Sequence, residues 1–508
     1  MSKSGWKFLI AVLWAGLACG VSAQAPGVKG APPAVPVPAP ASAPAAVAAA
    51  AAPIPTPAVS ASARRLYERS KSQLLQIRTL LKTQDSQASV GSGFLVSADG
   101  HVLTNYHVIS QFALEPESYR LRFATTDGQS GALELLDFDA RRDLALLRAV
   151  ADGPVVGPEG GLVGGQQGGL KGRGALSFRP VSQPLAKGER IYSMGNPHDV
   201  AFAVVEGNYN GLVERSFDPL IYYAGGINPG MSGGPVLDED GRVVGVNVST
   251  LLFAQQVSFL VPGEFAEALF KRSADAKPIR SAAWARLRDQ LTRYQDELVT
   301  RFLALPWESA NHEHYRLPVP KQDFMRCWGR GTPADTKGLA FERSQCRMDH
   351  ALFVSGNLQT GWLDMSHEAY DGSKLGALRF ARQYSASFHN ERLGRADKTR
   401  TAPYCKESFV GMPPAPAGSA AAPPGQAPAA RTRQTGSGEE LPLRAVVCLR
   451  AYRKLDGLHD LSVLVTTVDA ATEGALGRFD ARGVSFDNAL KLASHYLEGF
   501  AWTPAKAP

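Results

Sequence analysis

The sequence predicts a mainly β chain: a double β-barrel, then one helix, then an α+β domain that carries the cysteines. Three observations predict this. Across residues 63–272, short apolar runs alternate with Gly and Asp-Gly turns, as in "SVGSGFLVSADGHVLTNYHVI", the texture of a barrel or sandwich. A Gly-rich interruption, Gly153 to Gly174, divides these runs into two groups. Then "SAAWARLRDQLTRYQDELVTRFLA", residues 281–304, places apolar residues at helical spacing and reads as one amphipathic helix. The 508 residues leave room for about three domains, and a hydrophobic fraction of 44% supplies large cores.

The N-terminal "MSKSGWKFLIAVLWAGLACGVSAQA" has a positive start (Lys3, Lys7), an apolar run Phe8–Ala18 and a small-residue cleavage site at Val21-Ser22-Ala23. That is the build of a signal peptide, residues 1–23, and its central run is short for a membrane span. The expected location is therefore periplasmic or secreted, with no span left after cleavage. Retention as an anchor and lipidation of Cys19 stay open, the second weakened by Gly16 where a lipobox carries Leu. Residues 24–62 are Ala, Pro and Val almost throughout and read as a stiff tether. "LYERSKSQ" reads as a short helix and "LLQIRTLLKT" as a strand. The strand-like runs after them include "YRLRFAT", "LALLRAV", "RIYSMG", "AFAVVEG", "LIYYAG", "GRVVGVNVS" and "QVSFLVP".

The domain at 305–508 holds Cys327, Cys346, Cys405 and Cys448, an even number in an exported chain, which points to disulfides. The pairs closest in sequence, Cys327–Cys346 and Cys405–Cys448, are the expected ones. A Pro/Ala/Gly-rich insert, 412–439, separates "PYCKESFV" from "LRAVVCLRAY", and "FDNALKLASHYLEGF" reads as a helix that begins after Ser485. No C-x-x-C pair is present, so neither a metal nor another cofactor is expected. His312 and His314 in "NHEHY" lack further ligands and read as a solvated loop. The net charge of +7 comes without a Lys/Arg cluster interleaved with aromatics, so it reads as solubility charge and not as a specific nucleic-acid site. The oligomeric state is not legible.

Chemistry gathers in "GINPGMSGGPVLDEDG", where Ser232 stands among glycines just before a strand. A hydroxyl is a weak nucleophile until a base and an orienting group activate it. "TNYHVI" places His107 at an apolar strand end, and "DARRDLALLRA" places Asp143 at the start of an apolar strand. Any one of the three alone is ordinary: a turn serine, a solvated histidine, a strand-start acid. Together, in the order His, Asp, Ser, they match one of the known orders of the hydrolytic triad. Ser232 would attack a carbonyl, His107 would carry the proton, and Asp143 would hold the imidazole tautomer. The amides of Gly230 and Ser232 would form the oxyanion hole.

"GSGFLVSADGHVLTNYHVI", "DLALL", "MGNP", "INPGMSGGPVLDEDGRVVGVN" and "VSFLVP" resemble the trypsin-like serine peptidases, most closely the HtrA periplasmic type, over residues 66–272. The resemblance implies a double six-stranded barrel, polypeptide substrates, and His107, Asp143 and Ser232 as the catalytic residues. Met231 departs from the family, which has Asn or Asp before the nucleophile, and no PDZ-like segment is apparent after residue 272. In this fold the residue six before the nucleophile floors the specificity pocket. Here it is Gly226, with Val246 and Val248 expected as an apolar wall, so cleavage after Val, Ala, Ile or Leu is expected. The alternative is a catalytically silent binding protein of the cell envelope built on the peptidase fold.

Overall fold

Ser60, the first described residue, accepts the Ala63 amide on its hydroxyl at 3.1 Å and caps α1 (Ala61–Ser70). This helix starts inside the stretch read as tether. The fold is that of a computed structural model, which describes residues 60–150, 155–156, 162–163, 170, 172–250, 256–311, 315–333, 335–388, 393–411, 441–468 and 471–503. The expected signal peptide, nearly all of the tether, most of the Gly-rich loop, His312, His314 and the insert 412–439 lie outside the described residues.

The first barrel is made of β1 (Leu74–Leu81), β2 (Ser86–Leu95), β3 (His101–Thr104), β4 (Tyr119–Thr125), β5 (Ser130–Asp139) and β6 (Leu144–Ala149), with α2 (Tyr106–Leu114) between β3 and β4. Its order is β4-β1-β2-β3-β6-β5, and pairing of β4 with β5 closes it. Two short strands, β7 (Val155–Val156) and β8 (Leu162–Val163), extend the sheet beyond β5. The second barrel, β9 (Arg190–Gly195), β10 (Ala203–Leu212), β11 (Ile221–Ala224), β12 (Pro235–Leu237), β13 (Val243–Thr250) and β14 (Ser258–Pro262), closes in the order β10-β11-β14-β13-β12-β9. Alternation along the strands splits their apolar residues between two cores. Ile191, Tyr223, Met231, Val244 and Leu260 fill the second barrel. Phe94, Leu103, Leu146, Met194 and Val246 belong to a second cluster that draws on both barrels, together with α3 (Gly263–Ser273).

α4 (Trp284–Leu303) follows as the sequence predicts. Leu287, Leu291, Tyr294, Leu298 and Phe302 recur every three or four residues and form one buried stripe. Beyond it run β15 (Glu308–Asn311), β16 (Tyr315–Val319), β17 (Arg326–Gly331), β18 (Ala340–Arg347), β19 (Leu352–Ser355), β20 (Leu358–Thr360), β21 (Trp362–Asp371), α5 (Ala377–Ser387), β22 (Tyr404–Val410), β23 (Leu443–Ala451), β24 (Leu458–Thr467), β25 (Glu473–Ser485), α6 (Phe486–Glu498) and β26 (Ala501–Trp502). Seven of these form an antiparallel sheet in the order β17-β18-β21-β25-β24-β23-β22. Ser485 caps α6 by accepting the Asn488 amide at 3.2 Å. Cys327 and Cys346 face each other across β17 and β18 and are bonded, as are Cys405 and Cys448 across β22 and β23. Each bond staples an edge strand to its neighbour.

α4 is shared between the barrel and this sheet. On the barrel side, Gln290 accepts the Ala140 amide and donates to the Phe138 carbonyl, both at 2.8 Å. On the sheet side, Phe302 packs on Phe479 at 5.7 Å, and the Tyr294 hydroxyl donates to the Gly361 carbonyl at 3.0 Å. One apolar cluster therefore runs from Leu75 and Phe138 through α4 to Phe479 and Tyr496. Leu291, in its middle, is 2% exposed. Leu291→Ala should cost about 2–5 kcal/mol and should lower a single unfolding transition. Two separate transitions in a denaturant titration, only one of them shifted, would show that the barrel and the C-terminal sheet do not share a core.

Candidate active site

His107 is the second residue of α2 and not the end of a strand. Val108 and Ile109 are β-branched and favour strands locally, but a distant group decides the matter. Asp143, thirty-six residues later, supplies acceptors to the first helical turn: its carbonyl takes the Tyr106 amide at 3.1 Å and its Oδ1 takes the His107 amide at 2.7 Å. The first amides of a helix have no partner within it, and a carboxylate there also suits the helix dipole. The Asp143 carbonyl further accepts the Asn105 side-chain amide at 2.7 Å. Asp143 itself sits at φ 54°, a left-handed conformation that Asp tolerates better than most residues.

The other Asp143 oxygen, Oδ2, accepts the His107 Nδ1–H at 2.5 Å. Both side chains are mostly covered, 28% and 17% exposed. Burial by itself lowers the His107 pKa, but the adjacent Asp143 carboxylate outweighs it, and the pKa lies above its ordinary 6.5. An imidazole held by Nδ1–H on a carboxylate leaves Nε2 free to accept a proton.

The loop of Ser232 docks onto this pair from the second barrel. Gly233 lies at φ 83°, and a Cβ there would stand 2.3 Å from the Thr104 hydroxyl and 2.8 Å from the Asn105 amide nitrogen, so only glycine fits against the start of α2. The Ser232 carbonyl accepts the Ser92 amide at 2.8 Å. The Ser232 hydroxyl donates to the Val248 carbonyl at 3.3 Å, not to His107. Gly230 lies at φ 94°. The peptide before it is held on its far side, where the Pro229 carbonyl accepts the His198 amide at 2.7 Å. In a trans peptide the C=O and N–H point in opposite directions, so the Gly230 N–H is turned away from that turn. Among the described residues, neither the Gly230 amide nor the Ser232 amide is spent on a hydrogen bond within the chain.

Two contributors escaped the sequence reading. The buried Ser92 hydroxyl donates to the Gly230 carbonyl at 2.7 Å and accepts the Asn196 amide at 2.9 Å, tying β2 of the first barrel to the loop of the second. The turn at His198 and Asp199 holds two consecutive non-glycine residues at φ 52° and 59°, and the Asp199 carboxylate accepts hydrogen bonds from Gln76 and Arg78 of β1. "GSGF" and "MGNP" contain Ser92 and Asn196, but nothing local says that they meet.

The expected pocket residues divide. A Cβ at Gly226 would meet nothing within 4 Å, so this position faces open space. Val248 is half-buried, and its carbonyl meets Ser232. Val246 is fully buried, so it cannot line an open pocket. It belongs to the same core cluster as Leu103 and Met194. Met231 is likewise a core residue of the second barrel.

Residues 91–246 match the family model described as the trypsin-like peptidase domain. Among curated relatives, a probable periplasmic serine endoprotease DegP-like of Ectopseudomonas mendocina (strain ymp) is 30% identical over 228 residues, which cover 43% of this chain and 42% of that protein. Serine protease HTRA1 of Xenopus laevis is 32% identical over 203 residues, 38% of each chain. The chain thus spans about two-fifths of the length of these relatives. Among solved structures, the serine endoprotease from Yersinia pestis aligns at 19% identity and a TM-score of 0.33, over 42% of this chain and 67% of that one. The resemblance of this region to trypsin-like serine peptidases of the HtrA type rests on the family-model match and the curated relatives as well as on short motifs.

In an NMR titration, His107 should protonate above pH 6.5, and Asp143→Asn should lower that value. Because the folded-state pKa is the raised one, the pair's contribution to stability is complete below about pH 6.5 and is lost as pH rises through the raised value. A His107 that titrates below 6.5 in the unsubstituted protein would remove the pairing on which the site is built.

Proposed function

We propose that this chain is an exported serine endopeptidase that hydrolyses polypeptides through an acyl-enzyme intermediate, with His107, Asp143 and Ser232 as its triad. The observation that carries the reading is the His107–Asp143 pair, set beside a serine loop with two unspent amides. Asp143 holds His107 in the tautomer whose Nε2 is a base. Ser232 turns its hydroxyl from Val248 toward His107 as substrate arrives; such bonds are commonly long or misaligned in the free enzyme. The attacked carbonyl oxygen then gathers negative charge, and the Gly230 and Ser232 amides stabilise it. His107 returns the proton to the leaving amine, and water releases the acyl group by the same steps. The raised His107 pKa sets the acid limb of activity above pH 6.5, since only the neutral imidazole is a base.

Export rests on the N-terminal segment and on relatives whose names say periplasmic. No helix among the described residues is long and apolar enough to cross a membrane. One observation favours the second reading, a silent binding protein on the same fold: the Ser232 hydroxyl bonds to Val248 and not to His107. A fluorophosphonate probe separates the two. The unsubstituted protein should be labelled, and Ser232→Ala should lose both labelling and peptidase activity by several orders of magnitude. A folded unsubstituted protein that stays unlabelled would make the binding reading the correct one.

Specificity follows from Gly226. Without a carboxylate on the pocket floor, a Lys or Arg side chain would be buried unpaired, so cleavage should follow small or medium aliphatic residues. Discrimination among them should be modest, about 1–3 kcal/mol per methylene. A peptide-library profile dominated by Arg or Lys would overturn the placement of Gly226 in the pocket.

A further inference from the structure

The match to the trypsin-like domain ends at residue 246, yet residues a hundred positions later stand against the triad. β19 runs beside α2. The buried Tyr106 hydroxyl, next to His107, donates to the Val354 carbonyl at 3.1 Å. The Phe353 ring meets the His107 ring edge-on, with centroids 5.9 Å apart and planes at 66°. It also meets Tyr106 at 6.4 Å, and Tyr106 is itself stacked on Phe138 at 4.9 Å. Leu352 and Val354, on either side of Phe353, are fully buried in the cluster that contains Ile109 and Ala113 of α2. Just past β20, the Gly361 carbonyl accepts the Tyr294 hydroxyl of α4. The turn that carries Asp143 is held from the same side. Arg141 donates to Asp218 of the second barrel at 2.8 and 2.9 Å and to Glu297 of α4 at 2.5 Å, with its guanidinium against Phe217 and Tyr294.

We propose that the β19–β20 hairpin is a built-in wall of the peptidase site, and that Phe353 is a positioning residue that keeps the His107 ring against Asp143 and water away from their hydrogen bond. This rests on the reading of His107, Asp143 and Ser232 as a triad. Excluding water strengthens an ion pair or charged hydrogen bond in proportion to the drop in local dielectric. A ring fixed edge-on also removes rotations of the imidazole that would break the Nδ1–H contact. The hairpin is continuous with a packed core and bonded at Tyr106 and Tyr294, so it is a wall and not a movable lid. The C-terminal sheet and α4 then act together to hold Phe353 in place.

The alternative is that Phe353 only fills space in the shared core. Phe353→Ala and Phe353→Leu, made in the full-length protein, separate the two. A His–Asp hydrogen bond shielded from water gives a far-downfield imidazole N–H proton signal in NMR. That signal should be present in the unsubstituted protein and in Phe353→Leu, and lost to exchange with water in Phe353→Ala. Turnover of a peptide substrate by Phe353→Ala should fall by about tenfold to a hundredfold, the scale of a small misplacement of a catalytic group, with KM little changed and Phe353→Leu largely restored. If Phe353→Ala lowers only the melting temperature, and both the N–H signal and turnover survive, the hairpin is packing and the proposal is wrong. If Phe353→Ala loses the N–H signal but the unsubstituted protein shows no reaction at Ser232, the wall stands and the peptidase reading falls.

Discussion

The site depends on what one carboxylate does. Asp143 accepts the His107 amide with one oxygen and the His107 imidazole N–H with the other, while its carbonyl takes the Tyr106 amide. The same residue therefore starts the helix that carries His107 and fixes the orientation of its ring. Helix capping and control of the imidazole tautomer are coupled at one position. A change at Asp143 would disturb the backbone of α2 as well as the charge beside the base.

The second constraint is the meeting of the two barrels. Neither holds the site by itself, because His107 and Asp143 belong to one and Ser232 to the other. Beside Ser232 the barrels are joined through backbone and one small side chain: Ser92 donates to the Gly230 carbonyl and receives the Asn196 amide, and its own amide holds the Ser232 carbonyl. Gly233 removes a Cβ that would keep the surfaces apart, as does Gly91, where a Cβ would stand 2.9 Å from the Ser232 carbonyl oxygen. Hydrogen bonds of this kind contribute modestly to stability, but they set directions. In the proposed mechanism, the direction of the Gly230 and Ser232 amides is what a developing oxyanion would meet.

The third is that the C-terminal half is packed into the double barrel. α4 lays one stripe of apolar residues into a cluster that also holds α2 and the large sheet. The edge strands of that sheet are stapled by disulfides, so its registers are fixed at both ends. Under the proposed role of Phe353, this sheet and α4 together are what would hold its ring beside His107.

What the sequence by itself determined is what neighbours within a turn or two decide. The alternating strands of both barrels, the stripe of α4, the Ser485 cap of α6 and the order His107, Asp143, Ser232 were all legible, because propensity, period and residue identity are local quantities. Tertiary structure decided the rest. "TNYHVI" reads as a strand until an acceptor thirty-six residues away caps it as a helix. Val246 reads as a pocket wall until the closed barrel buries it beside Leu103 and Met194. Ser92 and Asn196 are unremarked polar residues until a contact spanning 104 positions joins them. Tyr106 and Val354 are 248 positions apart, and nothing in either segment announces that one will bring an aromatic wall to the other. The common reason is physical: caps, buried faces and shared cores are satisfied by whichever group is near in space, and only the folded chain sets which group that is.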